Sequence, residues 1–132
     1  MKMTLAEVNI RNGVLNAVAN LKLPYKLTKA VTQNLMEFQT DLKLMEENRI
    51  DIIGRYAEKN EAGELIIEGN HYKLSEESEA KFQTEYNEFL TNTETEVDVH
   101  TVSETVLEQL AESRYDALTP AHRLALDFMI EE

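Results

Sequence analysis

Between Leu35 and Tyr56 the apolar residues Leu35, Phe38, Leu42, Met45, Ile52 and Tyr56 recur at alternating spacings of three and four, with Arg49 in the single polar slot of the series. Only an α-helix lines such a series up on one stripe, and the alternation is that of a heptad seam. The pattern predicts a helix from about Leu27 to Glu58. About 31 residues at a rise of about 1.5 Å each make roughly 46 Å, whereas a globule of this chain length has a radius of gyration near 14 Å. Either the helix projects and buries its seam against another chain, or a break near Asn48 or Gly54 shortens it. The seam, with Arg49 included, is therefore the candidate partner-binding surface. Arg49 either faces an acid of a partner helix and sets register or snorkels to solvent, and snorkelling is the reading adopted.

The segment before the seam predicts a shorter helix from about Leu5 to Leu21. Thr4 and Glu7 have the spacing of a capping box, and Leu5, Val8, Leu15 and Val18 share a face that Ile10, Val14 and Leu21 widen. Pro24 ends that pattern. After the long helix, Asn60 and Gly63 mark a stop, and β-branched and aromatic residues then fall in two short runs separated by Gly69-Asn70, the signature of a hairpin. Ser75 is placed to cap a further helix, with Glu76, Glu77 and Glu79 opposing the positive end of its dipole and Phe82, Tyr86, Phe89 and Leu90 as its buried stripe. Thr95 to Val102 alternates, Val97 and Val99 on one side and Glu96, Asp98 and His100 on the other, which predicts a third strand beside the hairpin. Ser103 caps a fourth helix carrying Val106, Leu107 and Leu110. Thr119-Pro120 opens a last one, anchored by Leu124, Phe128 and Met129.

These elements imply one mostly helical α+β domain over residues 1–132: an N-terminal helical hairpin (1–59) followed by an α+β part (60–132) with a small three-stranded antiparallel sheet. The 132 residues suffice for one core. The two parts differ in charge. Residues 1–59 hold nine Lys/Arg against seven Asp/Glu, a balance of +2, and residues 60–132 hold four against eighteen, a balance of −14. A surface this acidic disfavours direct binding to a phosphate backbone and favours a basic partner or simple solubility. The cluster Lys22, Lys26 and Lys29 is small, with only Tyr25 as an aromatic neighbour, and reads as a counterweight to the acidic half.

The candidate chemistry is thin. The chain has no cysteine, which excludes disulfides, thiol catalysis and thiolate-bound zinc. Its histidines, His71, His100 and His122, fall in different elements without a His-Glu-x-x-His spacing. Asp98 and His100 share a strand face and offer two metal ligands, but the sequence places no third, so solvated surface residues are the reading adopted. Ser75, Ser78, Ser103 and Ser113 stand at caps and helix ends rather than in a nucleophile elbow, and the glycines are too scattered for a phosphate loop. The expectation is a protein without enzymatic activity or cofactor. Glu104, Glu108, Glu112 and Asp116, four apart, would put a row of like charges on one helix face at intervals of about 6 Å. Such a row either imitates a phosphate backbone and captures a nucleic-acid-binding protein or is a solvated face, and the second is the simpler reading. No apolar run approaches the roughly 20 residues of a membrane span, and Met1 to Leu5 lacks a signal-peptide core, so a soluble intracellular protein is expected.

Three stretches carry a resemblance: Arg55-Tyr56-Ala57-Glu58-Lys59 leading to Gly63 and Ile66-Ile67; Phe82 through Phe89 with its Glu-Tyr-Asn-Glu core; and Leu118-Thr119-Pro120 through Phe128-Met129-Ile130-Glu131-Glu132. In order and spacing over most of residues 30–132, the chain resembles a family of small uncharacterised proteins of bacteriophages of Gram-positive bacteria. The resemblance implies a phage or prophage origin and supplies no catalytic residues. It implies action in the host cytoplasm during infection or in the virion, through contacts with itself, another phage protein or a host protein. A virion or assembly component whose seam buries against further copies or a neighbouring virion protein is the first expectation. An acidic host-directed inhibitor is the second.

Overall fold

The computed structural model describes residues 1–131 apart from Asn70 and Ser113; Glu132 is likewise outside the described residues. The second turn residue of the hairpin, one of the four serines and the last residue of the C-terminal stretch 118–132 thus lie outside what is described.

Strand β1 (Lys2–Thr4) leads straight into helix α1 (Leu5–Val18), and the capping box forms: the Glu7 amide donates to Thr4 Oγ1 at 3.1 Å, and the Thr4 amide reaches the Glu7 carboxylate. The helix stops three residues short of the expected Leu21. Asp116 explains the early end, because its carboxylate accepts from the Lys22 amide at 2.7 Å while its own amide donates to the Lys22 carbonyl at 2.9 Å. That reciprocal clamp holds the linker in a non-helical path. Pro24 then precedes α2 (Tyr25–Tyr56), which runs 32 residues without a break.

The length of α2 is resolved by neither projection nor a break. Its first two thirds lie in the main core, where Leu27, Val31, Phe38 and Met45 meet Leu5, Val8, Leu15 and Val18 of α1, together with Leu90, Val97, Val102, Val106, Leu126 and Met129. Its last third has a second core, in which Ile52, Ile53 and Ala57 meet Phe82, with Tyr56, Leu65 and Leu74 at the edge. Tyr86 packs against both and joins them. One helix can outrun a single core because a second one covers its far end. The same packing carries α2 through Gly54, where a glycine in place of alanine costs about 1 kcal/mol.

Beyond α2 the chain folds back on itself. The Asn60 side chain accepts from the Ala62 and Glu64 amides at 2.9 and 3.0 Å, and Gly63 takes a left-handed φ of 81°. Strands β2 (Ile67–Glu68) and β3 (His71–Tyr72) make the expected hairpin, with Gly69 at φ 60°. The Glu58 amide donates to the Lys73 carbonyl and the Ile66 amide to the Glu58 carbonyl, which ties the hairpin to the end of α2. Ser75 caps α3 (Glu76–Asn92) through the Ser78 amide.

Among the described residues the single three-stranded sheet is replaced by three separate two-stranded pieces. After α3, β4 (Glu94–Glu96) pairs antiparallel with β1, and β5 (Val102–Ser103) pairs parallel with β6 (Ile130–Glu131). The predicted strand over Thr95 to Val102 is thus split. Its alternation is nevertheless satisfied: Val97 is buried, Val99 is half-buried and Asp98 is exposed, with this stretch docked on α2. A two-residue period reports two faces, and a helix surface satisfies the inner one as well as a sheet does. Between β5 and β6 lie α4 (Glu104–Glu108), a 3-10 turn over Gln109–Ala111, α5 (Pro120–Ala125) capped by Thr119, and a 3-10 turn over Asp127–Met129.

Candidate functional site

The seam is used inside the chain. Phe38 is fully buried, Met45 and Ile52 nearly so, and Leu35, Leu42 and Tyr56 pack half-buried against the two cores. The expectation that these residues form a partner surface is therefore corrected, and the reason is occupancy: α1, α3 and the C-terminal segments cover them. Arg49 is satisfied within α2, its guanidinium donating to both oxygens of Glu46 at 2.9 and 2.6 Å. The Glu46 carboxylate beside it holds the Arg49 guanidinium above its ordinary value, and the guanidinium in turn holds Glu46 below the usual carboxylate range. Arg49 also lines a cleft of about 710 Å³ with Ile53, His71, Tyr72, Lys73 and Phe82. Lys73 is likewise engaged, with Glu58 at 3.3 Å and Glu68 at 3.7 Å, so both cations of this cleft already have carboxylates.

A second pair bridges two helices. Arg55 of α2 donates to Glu85 of α3 at 2.7 Å, and the Arg55 guanidinium, then the Tyr56 hydroxyl, hold the Glu85 carboxyl below the usual carboxylate range. A depressed folded-state value means that the contribution is complete above the unfolded carboxylate value of about 4.3 and is lost as pH falls through the lower folded value. Glu85→Gln is therefore expected to lower the melting temperature near neutrality and to converge with the parent chain as pH falls below about 4. Circular dichroism melts between pH 3 and 7 check this, and a constant offset across that range would contradict it.

The acidic residues are exposed but do not form the predicted row. Helix α4 ends at Glu108, and Glu112 is already extended at φ −70° and ψ 137°. Like charges four apart oppose continuation of the helix, and the chain turns away through the 3-10 segment. Glu104 is held by Arg123 at 2.9 Å, Glu112 by Arg114 at 2.8 Å, and Asp116 serves the linker clamp. Of the four, Glu108 alone makes no ion pair or clamp among the described residues.

No protein-family model, curated protein or solved structure matches the chain.

The histidines separate in space. His71 is exposed on the hairpin and His122 is half-buried in α5. His100 is the exception in its surroundings. Asn34 of α2, fully buried, clamps its backbone: the Asn34 amide donates to the His100 carbonyl at 2.9 Å, and the His100 amide donates to Asn34 Oδ1 at 2.7 Å. Glu37, one turn along α2, then lies with Oε1 3.2 Å from His100 Nε2. One donor atom each of Glu37, Asp98 and His100 falls within 4.8 Å of the others. Asp98 and His100 were visible as neighbours on one face, but Glu37 was not, since 63 residues separate it from His100. The one sequence signal was Asn34 itself, polar at spacings of three and four between Val31 and Phe38, in the stripe that buries.

Among the described residues no helix is long and apolar enough to cross a membrane.

Proposed function

We propose that this chain is a non-enzymatic protein-binding module, of the phage type it resembles, whose acidic C-terminal surface captures a basic partner in the host cytoplasm. The observation that carries this reading is the engagement of every cation in residues 60–132. Lys73, Lys81, Arg114 and Arg123 each sit within salt-bridge distance of a carboxylate of this chain. The N-terminal amine, Lys2 and Arg55 also pair with Glu96, Glu94 and Glu85 of this half, and the negative charge left uncompensated lies on carboxylates such as Glu61, Glu88 and Glu108, all exposed and without an ion pair among the described residues. A field of one sign steers an oppositely charged protein and falls off within a screening length of about 8 Å at physiological salt.

The alternative of a virion or assembly component keeps one specific support. Ile10 of α1 and Leu124 of α5, expected to widen the buried face of the first helix and to anchor the last one, are instead 68% and 77% exposed and line one shallow groove with Val14 and Phe128. This apolar face takes the place that the buried seam has vacated.

One experiment separates the two readings. The full chain is used as bait in host-cell lysate, and the captured protein is identified and eluted with salt. The acidic reading expects a basic protein whose retention falls at least tenfold between 50 and 200 mM salt and is lost when Glu61, Glu88 and Glu108 are all changed to Lys. Capture indifferent to salt and to those changes overturns it. If such capture is instead lost in the Ile10→Ser, Leu124→Ser chain, the contact is the apolar face.

A further inference from the structure

We propose that Glu37, Asp98 and His100 form a binding site for one divalent transition-metal ion, of which zinc is the best-matched example. The site goes beyond the protein-binding reading and does not depend on it. Three features carry the assignment. The first is convergence of the right donors. An imidazole and two carboxylates from α2 and the 97–101 segment bring one donor atom each to within 4.8 Å of one another. Ligands about 2.0–2.2 Å from a common tetrahedral zinc stand roughly 3.4 Å apart, and Glu37 Oε1 and His100 Nε2 are already at 3.2 Å. The exposed Asp98 contributes a carboxylate oxygen within 4.8 Å of both, so a shared ion would have to draw it closer.

The second feature is rigidity in the backbone that carries the donors. His100 is pinned through both its amide and its carbonyl by the buried Asn34. The other end of the segment is held where Thr95 Oγ1 donates to Asp41 of α2 at 3.0 Å. Val97 and Val99, packed into the core, turn the alternate residues Asp98 and His100 outward on the side of Glu37. A preorganised backbone lowers the ordering cost of ligation. The third is charge and access. A hydrogen bond between Glu37 and His100 accounts for two of the three groups but leaves Asp98 beside a second carboxylate, an arrangement that a dication relieves. Glu37 and Asp98 are exposed and His100 is half-buried, so water completes the coordination. The imidazole favours zinc, nickel or iron over magnesium and calcium, and with no cysteine in the chain thiolate sites do not compete.

The test is isothermal titration of the full chain with zinc chloride, in parallel with nitrogen-15 spectra of its imidazoles. The expected result is one equivalent bound, a shift of the His100 ring resonances with those of His71 and His122 unmoved, and at least tenfold weaker binding in Glu37→Gln and in Asp98→Asn. Both substitutions are at exposed positions, so they carry the test even if His100→Ala fails to fold. Absence of saturable binding overturns the proposal. So does binding that Glu37→Gln and Asp98→Asn leave unchanged, or zinc that shifts His71 or His122 in place of His100.

Discussion

Replacing Phe38 by alanine is expected to destabilise the protein by about 3–5 kcal/mol, the cost of emptying a fully buried aromatic site in a close-packed core. The main core depends on this ring because it sits at the middle of the α2 stripe, where residues of α1, α3 and the C-terminal segments converge. Met36, two residues earlier and 68% exposed on the outer side of the same helix, is the control, and Met36→Ala should change stability by no more than about 0.5 kcal/mol. Chemical denaturation read by circular dichroism measures both. The concentration dependence adds a separate decision. A seam buried within one chain gives a transition midpoint independent of protein concentration, while a seam buried between chains gives one that rises with it. An unchanged midpoint from 1 to 100 μM is expected for the parent chain. A rise over that range would restore the seam as an interface.

Asn34→Ala should cost about 2–3 kcal/mol, more than the cavity alone, because it strands the His100 amide and carbonyl that the side chain satisfies. Asn34→Asp is the informative companion. It keeps the acceptor for the His100 amide but loses the donor to the His100 carbonyl and puts a carboxylate where the native side chain is fully buried, and it should be at least as costly. Native-state hydrogen exchange locates the effect, since in Asn34→Ala the His100 amide should lose protection before the amides of α1 and α2 do. If its protection is unchanged, the clamp does not hold the 97–101 segment, and the rigid backbone on which the proposed metal site relies is lost with it. Glu37→Gln, which removes a metal donor without touching the clamp, should leave stability in metal-free buffer nearly unaltered.

Much of the helical framework could be read directly. The capping box at Thr4, the caps at Ser75, Ser103 and Thr119, the stop at Asn60 and Gly63 and the turn at Gly69 are local devices, each set by residues within a few positions of one another. The stripe of α2 was equally legible, because a helical period is written in the chain. What covers a stripe is not. A heptad seam looks the same whether its partner is a second chain or an α1 and an α3 supplied by the same one, and here the partner is internal. The acidic row failed for a related reason: spacing assumes that the helix continues, and the 3-10 turn after Glu108 ended it.

The candidate sites divide along the same line. By itself the sequence determined that the chain is mostly helical, that its negative charge gathers beyond residue 59 and that thiol chemistry is absent, because these follow from local pattern and from counting. Only the tertiary structure decided that the seam is core, that Asp116 is a clamp, that three short ladders replace one sheet and that Glu37 meets Asp98 and His100. Those are contacts across 60 or more residues, or choices between competing partners for the same face. They are set by which surfaces bury best together, a property of the whole chain that no window of neighbouring residues contains.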